Sequence, residues 1–141
     1  MDYLIHQLLD KKSTEVLVER ISSNEQSWED GKKTAGSHAA KVKRNSQLNR
    51  DSKESIDASN KVIEKLLSEP LLKSFCLPKN VHGVMFSKST SGDGYGTHVD
   101  NPYMSTGRSD LSFTLFLSSK EHYEGGELTI QSLQESKEFK L

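Results

Sequence analysis

What this chain lacks narrows its roles before any motif is read. It has one cysteine, Cys76, in 141 residues, which excludes an internal disulfide and a metal cluster built on cysteine thiolates. A reduced, cytoplasmic setting is the expectation that follows. No run approaches the roughly 18 consecutive apolar residues that a membrane-crossing helix needs, so no membrane partner is expected. The opening Met1-Asp2-Tyr3-Leu4-Ile5-His6 has neither the basic start nor the apolar stretch of a secretory signal. Charge of one sign is missing too: 19 Lys and Arg against 20 Asp and Glu leave a net charge of −1. That balance argues against a surface built for nucleic acid, and no such partner is expected. Large apolar residues are scarce. Ile, Leu, Val and Phe make up 33 of the 141 residues, just above the level of roughly 20% below which disorder becomes the default. One lean domain is what remains.

The first half reads as helical. Tyr3 to Leu9 is a short apolar strand candidate, and Asp10 is placed to cap a helix on which Leu17 and Ile21, four apart, share a face. Trp28 closes this part as a packing residue. From Gly31 to Arg50 the chain has no Asp or Glu but carries Lys32, Lys33, Lys41, Lys43, Arg44 and Arg50. Gly36 and Asn45 there predict irregular backbone. A solvated loop is the expected state of this run, with binding of an anionic partner the competing reading. Its lack of interleaved aromatics speaks against a nucleic-acid groove. Asp51 and Glu54 have capping-box spacing ahead of a second helix, with Ile56, Ile63, Leu66 and Leu67 as its apolar stripe. Pro70 ends that helix or starts a short new one. Cys76, between Phe75 and Leu77, reads as a small buried hydrophobe, and Pro78 marks a boundary.

Beyond Pro78 the period changes from helical to two. Val81 to Ser87 is one strand candidate, and Ser89 to Gly96 is a glycine-rich loop. Asp110 to Ser118 is the best strand, with Leu111, Phe113, Leu115 and Leu117 on one face. Gly125-Gly126 makes a tight turn before a strand from Glu127 to Gln131. Lys137 to Leu141 alternates as a strand does and stops without a turn signal. Helices first and strands afterwards indicate an α+β fold with an antiparallel sheet or jelly roll.

The chemistry concentrates at one place. Of the histidines His6, His38, His82, His98 and His122, His98 stands two residues before a carboxylate, in His98-Val99-Asp100. In extended chain these two side chains share a face, so imidazole and carboxylate can reach one cation. Two histidines and one carboxylate on one octahedral face are the ligand set of non-haem Fe(II) oxygenases. The pair alone is a weak signal, because an ordinary surface His-Asp pair has the same spacing. The glycine-rich loop before it and the alternating strands after it strengthen it. His82 reads as a strand residue and His122 as a surface turn residue; His6 and His38 receive no role.

Tyr95-Gly96-Thr97-His98-Val99-Asp100-Asn101 resembles the metal motif of the PKHD-type hydroxylases, Fe(II)- and 2-oxoglutarate-dependent dioxygenases of the prolyl/lysyl hydroxylase type. Trp28, Asp30-Gly31, Thr34-Ala35-Gly36, Val42-Lys43 and Asn45-Ser46-Gln47-Leu48 are similar to that family's N-terminal block. Asp110-Leu111-Ser112, Thr114 to Ser118 and Tyr123 to Leu128 are similar to its barrel strands. The resemblance implies a helical and basic-loop region over 1–78 and the first part of a double-stranded β-helix (jelly roll) over 79–141. It implies that His98 and Asp100 bind Fe(II), that 2-oxoglutarate and O2 take the remaining metal positions, and that L-ascorbate (vitamin C) keeps the iron reduced. One atom of O2 would enter an unidentified small-molecule or peptide substrate, with release of succinate and CO2. Tyr95 would line the cosubstrate or substrate pocket. The family's third ligand, a downstream histidine, and an arginine about ten residues beyond it that pairs with 2-oxoglutarate, match nothing here. Arg108 matches a different family arginine. The expectation is therefore a C-terminally truncated fragment with little turnover of its own. Two other readings compete: a non-catalytic, cupin-like metal- or ligand-binding jelly roll, and an interaction module that uses the basic loop.

Overall fold

The computed structural model describes residues 3–35, 39–104 and 106–141. They form two compact units, Leu8–Ser112 and a smaller one made of Phe113–Leu141 with the described residues up to Gln7. Gly36 and His38 lie outside the described residues.

The larger unit starts at a capped helix. The Asp10 carboxylate accepts the Ser13 N–H at 2.7 Å, satisfying one of the donors that a helix start leaves open. Helix α1 (Lys11–Ser22) then buries Leu17 and Ile21 on one face, as their spacing predicts. Tyr3 to Leu9 forms no strand; a strand exists only through its ladder, and none runs along this segment among the described residues. A 3₁₀ turn at Glu25–Ser27 leads into strand β1 (Trp28–Asp30). The basic run is a series of short elements: 3₁₀ turns at Gly31–Thr34 and Ala39–Lys41, then β2 (Lys43–Arg44) and β3 (Ser46–Leu48).

Helix α2 (Lys53–Ser68) departs from expectation twice. Its cap is Ser52, whose hydroxyl accepts the Ser55 N–H at 3.2 Å. Asp51 instead donates its N–H to Asn49 Oδ1 in the preceding turn, so Glu54 falls one position short of a capping box. The buried face is Ser55, Ala58 and Val62, while Ile56 is 48% and Leu67 42% exposed. The buried positions are thus filled by small and medium residues, which permit close approach of a neighbouring element, and α2 is in contact with α1 and with the helix that follows it. Pro70 starts a new helix, α3 (Pro70–Cys76), and occupies its first turn, where a missing N–H costs nothing. Cys76 at its end is only half-buried.

Four further strands follow in this unit: β4 (Ser87–Lys88), β5 (Gly94–Tyr95), β6 (Tyr103–Met104) and β7 (Gly107–Arg108). Of the Val81-to-Ser87 strand candidate only Ser87 enters a strand, β4, together with Lys88. A three-stranded antiparallel sheet has the order β1-β3-β4, β2 pairs with β5, and β6 pairs with β7. In β3 the consecutive residues Gln47 and Leu48 are both buried, so both faces of this central strand are covered. Trp28 packs at its edge, its Nε1–H donating to Ile21 O at 3.1 Å.

In the smaller unit β8 (Leu128–Gln131) pairs antiparallel with β9 (Ser136–Phe139), where the alternation predicts strands. Gly125 and Gly126 precede β8 with φ of 69° and 72°. Leu128, Ile130, Lys137 and Phe139 share one face. Tyr3 sits there, edge-on to Phe139 with ring centroids 5.1 Å apart. Asp110 to Ser118 forms no ladder among the described residues. The whole is a mixed α and β chain with small antiparallel sheets and no closed barrel among the described residues. Its buried apolar residues, Leu8, Leu17, Ile21, Leu48, Ala58, Val62 and Phe86, all belong to the larger unit.

Leu48→Ala is expected to destabilise the larger unit by about 2–5 kcal/mol. Ser52→Ala is expected to cost about 1 kcal/mol, and Asp51→Ala less than half of that. Urea denaturation of the three variants checks the ranking; a larger loss for Asp51→Ala than for Ser52→Ala would move the cap back to Asp51.

Candidate metal centre

The His-x-Asp segment is held by the turn and ribbon before it. Asp93 Oδ2 accepts the Thr90 N–H at 2.8 Å and the Thr90 hydroxyl at 3.0 Å, closing the turn into β5. Strand β5 lies against β2 in register, Lys43 opposite Tyr95 and Arg44 opposite Gly94. Gly96 extends the ribbon, donating its N–H to Val42 O at 2.9 Å. A Cβ at Gly96 would sit 2.8 Å from Val42 Cβ, so only glycine permits this approach.

His98 and Asp100 are each then fixed by a second contact. His98 Nδ1 is 2.8 Å from Gly96 O. A carbonyl only accepts, so Nδ1 carries the proton, and in the neutral ring Nε2 is left with its lone pair. That nitrogen lies 3.5 Å from Asp100 Oδ1. The other carboxylate oxygen, Oδ2, accepts the Ser112 hydroxyl at 2.6 Å. Tyr95 stacks on the imidazole, centroids 3.7 Å apart and planes 15° from parallel. Burial is the main cause, and Asp100 the lesser one, of a Tyr95 phenol pKa raised above its usual 10.0.

Two acceptors that face each other at 3.5 Å repel unless a positive charge lies between them. A backbone carbonyl on the far nitrogen of the histidine and a hydrogen bond to the far oxygen of the carboxylate are the supports that metal ligands carry. The residues present therefore fit a divalent cation held by His98 and Asp100. No third ligand joins them: among the described residues, no three His, Cys, Asp or Glu side chains are grouped for a metal. His82 is engaged at both nitrogens, by the Thr106 hydroxyl and by Arg108 O at 3.0 Å. Arg108 pairs with Asp110 at 2.7 Å. His122 ends the exposed 3₁₀ turn Lys120–His122, and Glu124, at the same spacing from it, is exposed as well.

Sequence reasoning passed over three contributors. Ser112 reads there only as the polar face of a strand, and the Gly96 carbonyl carries no side-chain signal at all. Lys43 is read as part of a solvated run, yet it is 2% exposed, beneath Tyr95. An open groove of about 460 Å³ lies on this ribbon, lined by Lys41, Val42, Arg44 and residues 92–96.

The whole chain aligns with PKHD-type hydroxylases. It is 60% identical over 141 residues to one of Prochlorococcus marinus strain MIT 9303, 57% identical to one of strain MIT 9211 and 53% identical to one of strain NATL1A. Each match covers 100% of this chain and 64% of the relative. The chain thus spans just under two thirds of the length of the curated relatives it matches. No protein-family model matches it.

The turn into β5 gives a pH prediction. The Thr90 backbone N–H first, and its hydroxyl second, hold the Asp93 carboxyl below its usual pKa of 3.8. A folded-state pKa below the unfolded one stabilises fully above 3.8 and is lost as pH falls through the lowered value. Acidification through this range is expected to loosen the turn in the wild type. Asp93→Asn should flatten that part of the profile, read from Thr90 amide exchange against pH; an unchanged profile would remove Asp93 as the cause.

Proposed function

We propose that the chain, which aligns over its whole length with PKHD-type hydroxylases and spans just under two thirds of theirs, carries the metal-binding segment of an Fe(II)- and 2-oxoglutarate-dependent dioxygenase. The observation that supports this reading most is the facing pair, His98 Nε2 and Asp100 Oδ1, with each residue anchored on its far side. When bound, the iron and 2-oxoglutarate supply the chemistry that puts one atom of O2 into substrate and releases succinate and CO2. L-Ascorbate is the reductant we assign to keep the iron ferrous.

The chain's own residues do the rest. Gly96 O selects the imidazole tautomer, Ser112 aims the carboxylate, and the β2–β5 ribbon sets the distance between them. Tyr95, which lines the ribbon groove and stacks on His98, is placed to border the cosubstrate or substrate. Three-ligand coordination needs one more histidine, and the cosubstrate needs an arginine partner. We place both outside these 141 residues, consistent with the greater length of the relatives. Residues 79–141 then form the first part of the dioxygenase domain, behind the helical and basic region 1–78. The substrate, a small molecule or peptide, is not named by any residue here.

Anaerobic Fe(II) titration tests the site. The 141-residue chain is expected to bind weakly, His98→Ala and Asp100→Ala to abolish binding, and Ser112→Ala to weaken it by about 10–100-fold. In a protein of the relatives' full length, the two ligand variants are expected to lose Fe(II)-dependent 2-oxoglutarate decarboxylation. Full decarboxylation in either variant would refute the reading.

A further inference from the structure

Lys43 is the largest side chain that the fold buries completely, at 2% exposure. Among the described residues its ammonium has one hydrogen-bonding neighbour, the Thr34 hydroxyl at 3.4 Å. Among the described residues no carboxylate lies within ion-pair distance of it. Burial, and after it the like charge of Arg50, lower its pKa from the usual 10.5, and Asp30 offsets only part of that. An ammonium taken out of water without a counter-ion works against folding, and an apolar side chain of similar volume would serve the core better. The core therefore gives no reason for a lysine here.

The ribbon gives one. Lys43 stands directly opposite Tyr95 in the β2–β5 register, so the two side chains share a face. The ammonium lies 4.9 Å from the Tyr95 ring centroid, and attraction between a cation and an aromatic face is stronger for a cation that burial has stripped of water, as it has Lys43. The same ring stacks on His98 at 3.7 Å. One hydrogen bond from Nδ1 to Gly96 O leaves the imidazole free to swing about that bond. The stack removes this freedom.

We infer that Lys43 is a positioning residue: by holding the Tyr95 ring it fixes the plane in which His98 presents Nε2 to Asp100. The inference rests on the metal reading of His98 and Asp100, and it assigns Lys43 no contact with metal or substrate.

The test uses Lys43→Met in the 141-residue chain. Removing a charge without a counter-ion should leave the urea midpoint equal or higher. Without metal, the ring-current shift that Tyr95 imposes on the His98 ring protons should disappear. Mn(II) binding, followed by paramagnetic broadening, should weaken by about tenfold, the lower range for residues that orient metal ligands. Wild-type ring-current shifts in Lys43→Met would overturn the inference. Should that variant fail to fold, the wild type and Tyr95→Leu decide. The Lys43 ε-methylene protons must be shifted upfield in the wild type, and in Tyr95→Leu that shift must be lost and Mn(II) binding must fall below the wild-type level; an unshifted methylene in the wild type overturns it. His98→Ala separates the two layers. Undiminished Mn(II) binding there would refute the metal reading, while the ring-current result still decides the role of Lys43.

Discussion

Antiparallel pairing of Lys43–Arg44 with Gly94–Tyr95 is the constraint from which the site follows. The segment from Lys43 to Leu48 is used twice. Its first residues pair with the strand that carries Tyr95, and its last pair with β1 and β4 inside the buried layer. One short stretch thus ties an exposed loop to the best-packed part of the molecule. The tie is close because two glycines allow it. Gly96 meets Val42 where no side chain fits, and a Cβ on Gly31 would collide with Asn45 Oδ1. Asn45 stands at the crossover between the two pairings, its carbonyl accepting the Gly31 N–H at 2.9 Å.

The polar side chains buried along this segment divide into two kinds. Gln47 is satisfied: its amide donates to Ser87 Oγ at 3.3 Å and to Met85 Sδ at 2.7 Å, and its carbonyl accepts the Thr34 hydroxyl. A network of this kind fixes one arrangement of the strands, because any slip leaves buried groups without partners. Lys43, four residues earlier, has among the described residues only a long hydrogen bond to the same Thr34 hydroxyl, besides its contact with the Tyr95 ring. Gln47 therefore serves the fold, and Lys43 serves what lies across the ribbon. They lie in adjacent short strands of different sheets, and their chemistry sends them to different tasks.

How much of this was legible in the sequence follows from how local each feature is. The Asp10 cap, the Leu17 and Ile21 face, the Pro70 start and the β8 and β9 alternation depend on neighbours a few residues away, and they are found where they are expected. The adjacency of His98 and Asp100 is equally local. The face of α2 is not: tertiary packing buries Ser55, Ala58 and Val62 and leaves the larger Ile56 and Leu67 exposed, and no periodicity of large apolar residues reveals that. The burial of Lys43 depends on a partner strand some fifty positions away, so a run rich in Lys and Arg reads as solvated. Asp110 to Ser118 has the right alternation and still makes no ladder, because a ladder requires a neighbour that propensity cannot supply.

That last segment shows what the described residues do for the chemistry and what they leave undone. Its Ser112 hydroxyl aims Asp100, while Leu111 and Phe113 beside it are 55% and 44% exposed. The His98 and Asp100 side chains are themselves 28% and 65% exposed. A cation held by these two residues alone would keep much of its coordination shell in water. Oxygen chemistry at a metal requires the opposite, a shaped and dry cavity. Orientation and enclosure are thus separate contributions. Orientation comes from contacts within a few residues of the motif, namely a carbonyl two positions back, a stacked ring three back and a hydroxyl twelve ahead. Enclosure is a separate demand, and the exposure of His98 and Asp100 shows that local contacts do not meet it. Contacts near the motif thus orient His98 and Asp100, while both side chains stay open to solvent.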